Sequence, residues 1–198
     1  MGYEVTEEFG VCGPENEVAI TTTTLSSCSA IIIFNAKTRI LGLFHYPGMQ
    51  LSAPGVQRAI IAMINDITPT QIVLWPANPK SHGYGMSDLD RDKKLVQLDN
   101  AKVKTFLELK KPSSCTLEVK SNETFPGVQA VGGKLVFESS SGSVKVPSSK
   151  TIQESDGGVG RVQRGNIWFY FGSGAGSGDY SSKLQTAAST ILEIERGW

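Results

Sequence analysis

Nucleophilic and imidazole side chains are few in this chain, three cysteines and two histidines, and spacing singles out one pair. Cys28 and His45 flank two apolar runs of strand length, Ser29–Phe34 and Arg39–Phe44, joined by the turn Asn35-Ala36-Lys37-Thr38. Opposed residues of an antiparallel hairpin share one index sum, and a turn centred between Ala36 and Lys37 makes Cys28 face His45. Directly opposed Cβ atoms lie about 4.5–5.5 Å apart on one face. At that range an imidazole can take a thiol proton. A one-residue slip would turn the side chains to opposite faces. An ordinary thiol, with a pKa of about 8.5, is mostly protonated at neutral pH. A neighbouring imidazole stabilises the thiolate and later protonates a leaving amine. Such a base needs a third group that fixes its tautomer. The threonines Thr21 to Thr24 stand just before Cys28, and spacing does not choose among them.

The other candidates carry less. Cys12 and Cys115 have no histidine at useful spacing and read as structural; His82, between Ser81 and Gly83, reads as a loop residue. No zinc pattern is visible. The run Gly172–Gly178 lacks the Gly-Lys-Ser/Thr ending of a phosphate-binding loop and reads as a flexible loop. Trp75 and Trp168-Phe169-Tyr170 read as core.

The elements that must hold the pair follow from periodicity. Residues 1–17 carry turn formers. Val18-Ala19-Ile20 runs into the four β-branched threonines Thr21–Thr24, which favour a strand. The continuous apolar run Ser29–Phe34 suggests a strand buried on both faces. Val56, Ile60, Met63, Ile64 and Ile67 give helical spacing over 54–67, with Pro54 in the first turn and Ser52 as cap. Gln71–Trp75 is a strand. Residues 77–94 read as a polar loop or solvated helix start, and 99–110 as a helix. Residues 115–120 alternate with period two. Residues 133–138 and 143–146 flank a Ser/Gly turn and read as a hairpin, 166–171 as a buried strand, and 183–195 as a C-terminal helix or strand, with spacing in favour of the helix and the β-branched Thr186, Thr190 and Ile191 against it. The expected fold is α+β, one domain over residues 1–198, with a β-sandwich or mixed sheet flanked by helices.

Composition narrows the function. Lys plus Arg and Asp plus Glu are 19 each, a formal charge of zero, which argues against a dedicated nucleic-acid binder. Three cysteines exclude a disulfide-rich scaffold. No stretch is apolar enough for a membrane helix, and no membrane insertion is expected. The acidic start Met1–Glu8 lacks the basic and apolar regions of a secretory leader.

The segment Thr22-Thr23-Thr24-Leu25-Ser26-Ser27-Cys28, with His45 after a strand–turn–strand, resembles the active-site segment of cysteine-dependent protein glutamine deamidases. That family includes the chemoreceptor deamidase CheD, the catalytic domain of the cytotoxic necrotizing factors and the Burkholderia lethal factor. Its pattern is a Thr six positions before the Cys, a Leu-Gly-Ser-Cys or Leu-Ser-Gly-Cys motif, and a His on the following strand. The resemblance implies Thr22, Cys28 and His45 as orienting group, nucleophile and base, in a fold of the CheD and necrotizing-factor type. The Cys-to-His spacing, Ser29–Asn35 and Gly42-Leu43-Phe44-His45 are similar to the chemoreceptor branch, and Asp156–Arg161 is a looser echo of its Asp-x-Gly-Gly…Gly-Arg region. The backbone at Ser26 and Ser27 would form the oxyanion site, with serine at both positions where each branch keeps one glycine. The implied activity converts a protein glutamine to glutamate through a Cys28 thioester, without metal or organic cofactor. The implied partner is a chemoreceptor-like or host protein bearing a reactive glutamine. The implied setting is the bacterial cytoplasm, or a host cytosol into which the chain is delivered. Two other readings use the same residues. A cysteine protease or acyltransferase would share the reactive pair, whereas a non-enzymatic β-rich interaction domain would tolerate Cys28→Ser.

Overall fold

A computed structural model describes residues 2–5, 8–22, 25, 28–77, 89–121, 127–131, 134–138, 144–145, 161–172 and 192–194. In chain order these form β1 (Gly2–Glu4), β2 (Phe9–Pro14), β3 (Ala19–Thr22), β4 (Ser29–Asn35), β5 (Ile40–Tyr46), α1 (Pro54–Ile67), β6 (Gln71–Trp75), α2 (Leu89–Lys110), β7 (Thr116–Val119), β8 (Gly127–Val131), β9 (Lys134–Glu138), β10 (Val144–Lys145), β11 (Arg161–Arg164), β12 (Ile167–Phe171) and β13 (Leu192–Ile194). The architecture is α+β. One sheet runs β10-β13-β1-β3-β8-β9 and the other β11-β12-β2-β5-β4-β6-β7. Both are mixed, with β1–β3 and β6–β7 the parallel pairs.

Period two assigns the faces. Ala30, Ile32, Leu41, Leu43 and Val73 face the other sheet, where they join Tyr3, Val5 and Ile20 in one core. Ile31, Ile33, Phe44, Tyr46, Ile72 and Leu74 face the opposite way and pack with α1 and α2. The apolar run of β4 is therefore covered on both faces, as its composition requires. On α1 the five positions expected inward are all buried. That helix lies so close to the sheet that a Cβ on Gly42 would come within 2.7 Å of Ile67 and 2.9 Å of Met63.

Several expectations need correction. The β4–β5 turn spans Ala36–Arg39, one residue further on, because Asn35 opposes Ile40. The Asn35 carboxamide drives this placement. Its oxygen accepts from the Lys37 and Thr38 amides, and its nitrogen donates to the Ile67 and Thr68 carbonyls at the end of α1. Arg39 closes the turn with φ at 59°. His45 consequently opposes Ala30, and Cys28 is its diagonal neighbour. The N-cap of α1 is Ala53, without a side-chain cap, instead of Ser52. Residues 9–14 are strand, not turns; Gly10 there allows close approach, since its Cβ would meet Met63 at 2.6 Å. β9 pairs with β8 and β10 with β13, so these two strands do not pair with each other as the expected hairpin requires. β13 is a strand where helical spacing predicts a helix; the rest of 183–195 lies outside the described residues. α2 begins at Leu89, within the stretch 77–94 read as a loop or a solvated helix start, and runs on unbroken through the helix expected over 99–110. Its buried positions run Val96, Asp99, Val103, Phe106 and Leu107, and the buried aspartate interrupts the apolar period.

Candidate active site

Three elements converge where the two sheets meet. Ile20 points into the inter-sheet core, so Thr22, two residues on along β3, points the same way. Leu41 and Leu43 put His45 of β5 on the facing side by the same rule. The Thr22 hydroxyl meets the His45 imidazole across the gap, with Oγ1 2.6 Å from Nδ1. Leu25, fully buried in the same core, anchors the connection from β3 to β4. Cys28 belongs to that core too, at the entry to β4. The two-residue offset in register keeps Cys28 on the His45 face. Diagonal neighbours are about 7–8 Å apart at Cα.

The Val5 carbonyl, which sequence reasoning missed, assigns the proton. It accepts the Thr22 hydroxyl at 2.7 Å and lies 3.4 Å from His45 Nδ1. A carbonyl cannot donate, and a threonine hydroxyl has one proton. With that proton on Val5, Thr22 must accept from Nδ1–H. The basic lone pair of His45 is then on Nε2, the atom a thiol base would use. No side-chain pattern could have flagged a backbone carbonyl. The Glu8 amide also donates to the His45 carbonyl at 3.0 Å, which fixes the backbone behind the ring.

Thr22, Cys28 and His45 expose 0, 3 and 3% of their surfaces. Water screens little at that depth, so charge formed on sulfur and imidazole interacts strongly. In an enzyme built on these residues, Thr22→Val, which keeps the shape, is expected to lower turnover about 10–100-fold by freeing the ring. Its stability cost should be about 1–3 kcal/mol, because Val5 loses its donor. Steady-state kinetics and thermal melting on one preparation separate the two effects.

All three cysteines are buried and none is in a disulfide among the described residues, but the other two thiols have different surroundings. Cys12 Sγ lies 3.5 Å from the Tyr170 hydroxyl, which donates to Asp66 at 2.7 Å. Arg161 pairs with Asp66 and stacks over Trp168. Burial pushes the Cys12 thiol up to about 12, and burial raises Cys115 as well. Neither supplies thiolate near neutrality. Cys12 has a consequence for alkaline stability. Its unfolded thiol ionises near the usual 9.0, whereas the folded one holds its proton to about 12. Between those limits the unfolded state binds fewer protons, so stability falls as pH rises. Each unit should remove about 1.4 kcal/mol on account of this thiol. Urea unfolding across that range should show a slope shallower by one proton in Cys12→Ala.

Thr21 donates to the Tyr3 carbonyl at 3.5 Å, away from His45. Thr23, Thr24, Ser26, Ser27, His82, Asp156–Gly160 and Ser173–Gly178 lie outside the described residues. No group of three or more metal-ligating side chains is present among the described residues, and no helix there is long and apolar enough to cross a membrane. No family model matches the chain, and no curated protein does. Among solved structures it is similar to the Bacillus licheniformis hypothetical protein YfiH at 13% identity and a TM-score of 0.32, over 52% of this chain and 46% of that one. The chain thus spans less than half the length of that protein.

Proposed function

We propose that the chain is a thiol-dependent protein glutamine deamidase of the CheD and necrotizing-factor type. The observation that carries this reading is the 2.6 Å contact between Thr22 Oγ1 and His45 Nδ1, on the face that also bears Cys28. Sulfur attacks the carboxamide carbon of a glutamine, and the thiol proton passes to His45 Nε2. The resulting oxyanion is stabilised by backbone N–H groups near Cys28, with Ser26 and Ser27 assigned there by resemblance. Collapse breaks the C–N bond as His45 returns the proton to departing ammonia. Water then attacks the thioester, giving a proton to His45, and the C–S bond breaks. Glutamate and the free thiol result. The balance is one carboxamide and one water in, one carboxylate and one ammonia out. No metal or organic cofactor enters.

The depth of the thiol favours a side-chain amide over a peptide bond. A slender glutamine tip suits a cysteine that is only 3% exposed as a residue, whereas an extended main chain needs an open cleft on both sides. The substrate class is therefore a protein bearing an accessible glutamine. The setting is a bacterial cytoplasm, or a host cytosol reached by delivery. The test is incubation of the full chain with bacterial or host lysate in oxygen-labelled water. Ammonia release with labelled glutamate at former glutamine positions is the expected result. New peptide termini without ammonia would replace this reading with a cysteine protease. Neither product would return Cys28 to a packing role in an interaction domain.

A further inference from the structure

The sheet rung beside Cys28 and His45 is held from its other face. Ser29 and Tyr46, the chain neighbours of Cys28 and His45, oppose each other in the β4–β5 register. Period two turns their side chains toward the helices. Two consecutive residues of α2 meet them there. The Tyr46 hydroxyl donates to Asp99 Oδ1 at 3.0 Å, while Asp99 Oδ2 accepts the Met49 amide at 2.9 Å. The same hydroxyl accepts the Gln50 amide at 3.1 Å. Ser29 donates to Asn100 Oδ1 at 3.4 Å and accepts the Ala77 amide at 2.9 Å. Asn100 also grips both polar groups of Ala77, donating to its carbonyl at 3.0 Å and accepting from its amide at 3.2 Å.

These polar residues interrupt the stripe Val96, Val103, Phe106, Leu107 by which α2 covers the sheet. Asp99 is 6% exposed. A buried carboxylate is unfavourable unless fully hydrogen-bonded, and an apolar residue would cover the sheet without that demand. Burial and the neighbouring Asp99 carboxylate push the Tyr46 phenol up, so the phenol remains a donor through neutral pH.

We propose that Asp99 and Asn100 are positioning residues, which lock the Ser29–Tyr46 rung and thereby set the height of the Cys28 thiol against the His45 ring. The inference rests on the thiol–imidazole pair of the deamidase reading and is independent of the protein substrate. α2 acts through the sheet and touches no reacting atom.

The test is the pH profile of Cys28 alkylation by iodoacetamide in the full chain, resolved from Cys12 and Cys115 by peptide mass spectrometry. Wild type is compared with His45→Ala, Asp99→Ala and Asn100→Ala. The alanine variants on α2 should lower the Cys28 rate at neutral pH about 3–10-fold. They should also move its inflection toward that of His45→Ala, while buried Cys12 stays unreactive. Wild-type Cys28 profiles in variants whose Cys12 stays protected would overturn the proposal and leave the thiol–imidazole pair standing. If an α2 variant exposes Cys12, Tyr46→Phe and Ser29→Ala cut the same contacts from the sheet side and decide by the same criterion. Parallel exposure of Cys12 in those milder variants would mean the contacts serve stability alone, and the proposal falls. Coincident profiles for wild type and His45→Ala would remove the pair itself, and this inference with it.

Discussion

Cys28→Ser is expected to abolish ammonia release from protein glutamine while the chain stays folded. Serine is close to cysteine in shape, so the buried site at the entry to β4 can accept it. The hydroxyl, however, is a far weaker acid than the thiol, and a neutral imidazole cannot generate useful alkoxide from it. Removing a covalent nucleophile has cost about 10⁶-fold in a comparable hydrolase, and we expect at least about 10⁴-fold here. Burying the hydroxyl should cost about 1–3 kcal/mol, visible as a lower melting temperature with an unchanged far-ultraviolet spectrum. Continuous ammonia detection beside a thermal melt reads both quantities. Residual turnover within tenfold of wild type would remove Cys28 from the mechanism.

His45→Ala comes next in size. Loss of general acid–base catalysis typically costs about 10²–10⁴-fold. The alanine also vacates the space of an imidazole between two packed sheets and leaves Thr22 without its 2.6 Å partner. Three signatures should coincide. Turnover falls within that range, its acid limb disappears because no base remains to be protonated, and added free imidazole restores part of the rate. A stopped assay over a pH series, with and without imidazole, measures all three. Full turnover in His45→Ala would assign the base elsewhere.

The sequence was most informative where apolar runs and side-chain alternation agree. The β4 run Ser29–Phe34 could only be buried on both faces, and the helical spacing of Val56, Ile60, Met63, Ile64 and Ile67 survives intact in α1. Parity kept Cys28 on the His45 face. The turn moved by one residue when Asn35 bonded to the end of α1, which shifted the cross-strand partner of His45 by two positions. Such a shift preserves the face, so Cys28 became a diagonal neighbour instead of an opposed one. Glycines misled where they serve packing, as Gly10 does under Met63. Buried polar residues misled in the same way. Asp99 breaks the apolar period of α2 by occupying a core-facing position. The short strands β10 and β13 pair residues about fifty positions apart, and local periodicity carries no information on such a distant partner. The Val5 carbonyl was illegible for a different reason, since every residue carries one and only the fold decides where it points.

The most direct test needs no substrate. It is the alkylation rate of Cys28 against pH in wild type and in His45→Ala, with each cysteine followed by peptide mass spectrometry. Wild-type Cys28 alone should react well below the ordinary thiol range, and this advantage should vanish in His45→Ala while Cys12 and Cys115 remain slow in both. An ordinary or inert Cys28 in the wild type, with the same profile in the variant, would contradict the thiol–imidazole pair and leave Cys28 as a packed core residue.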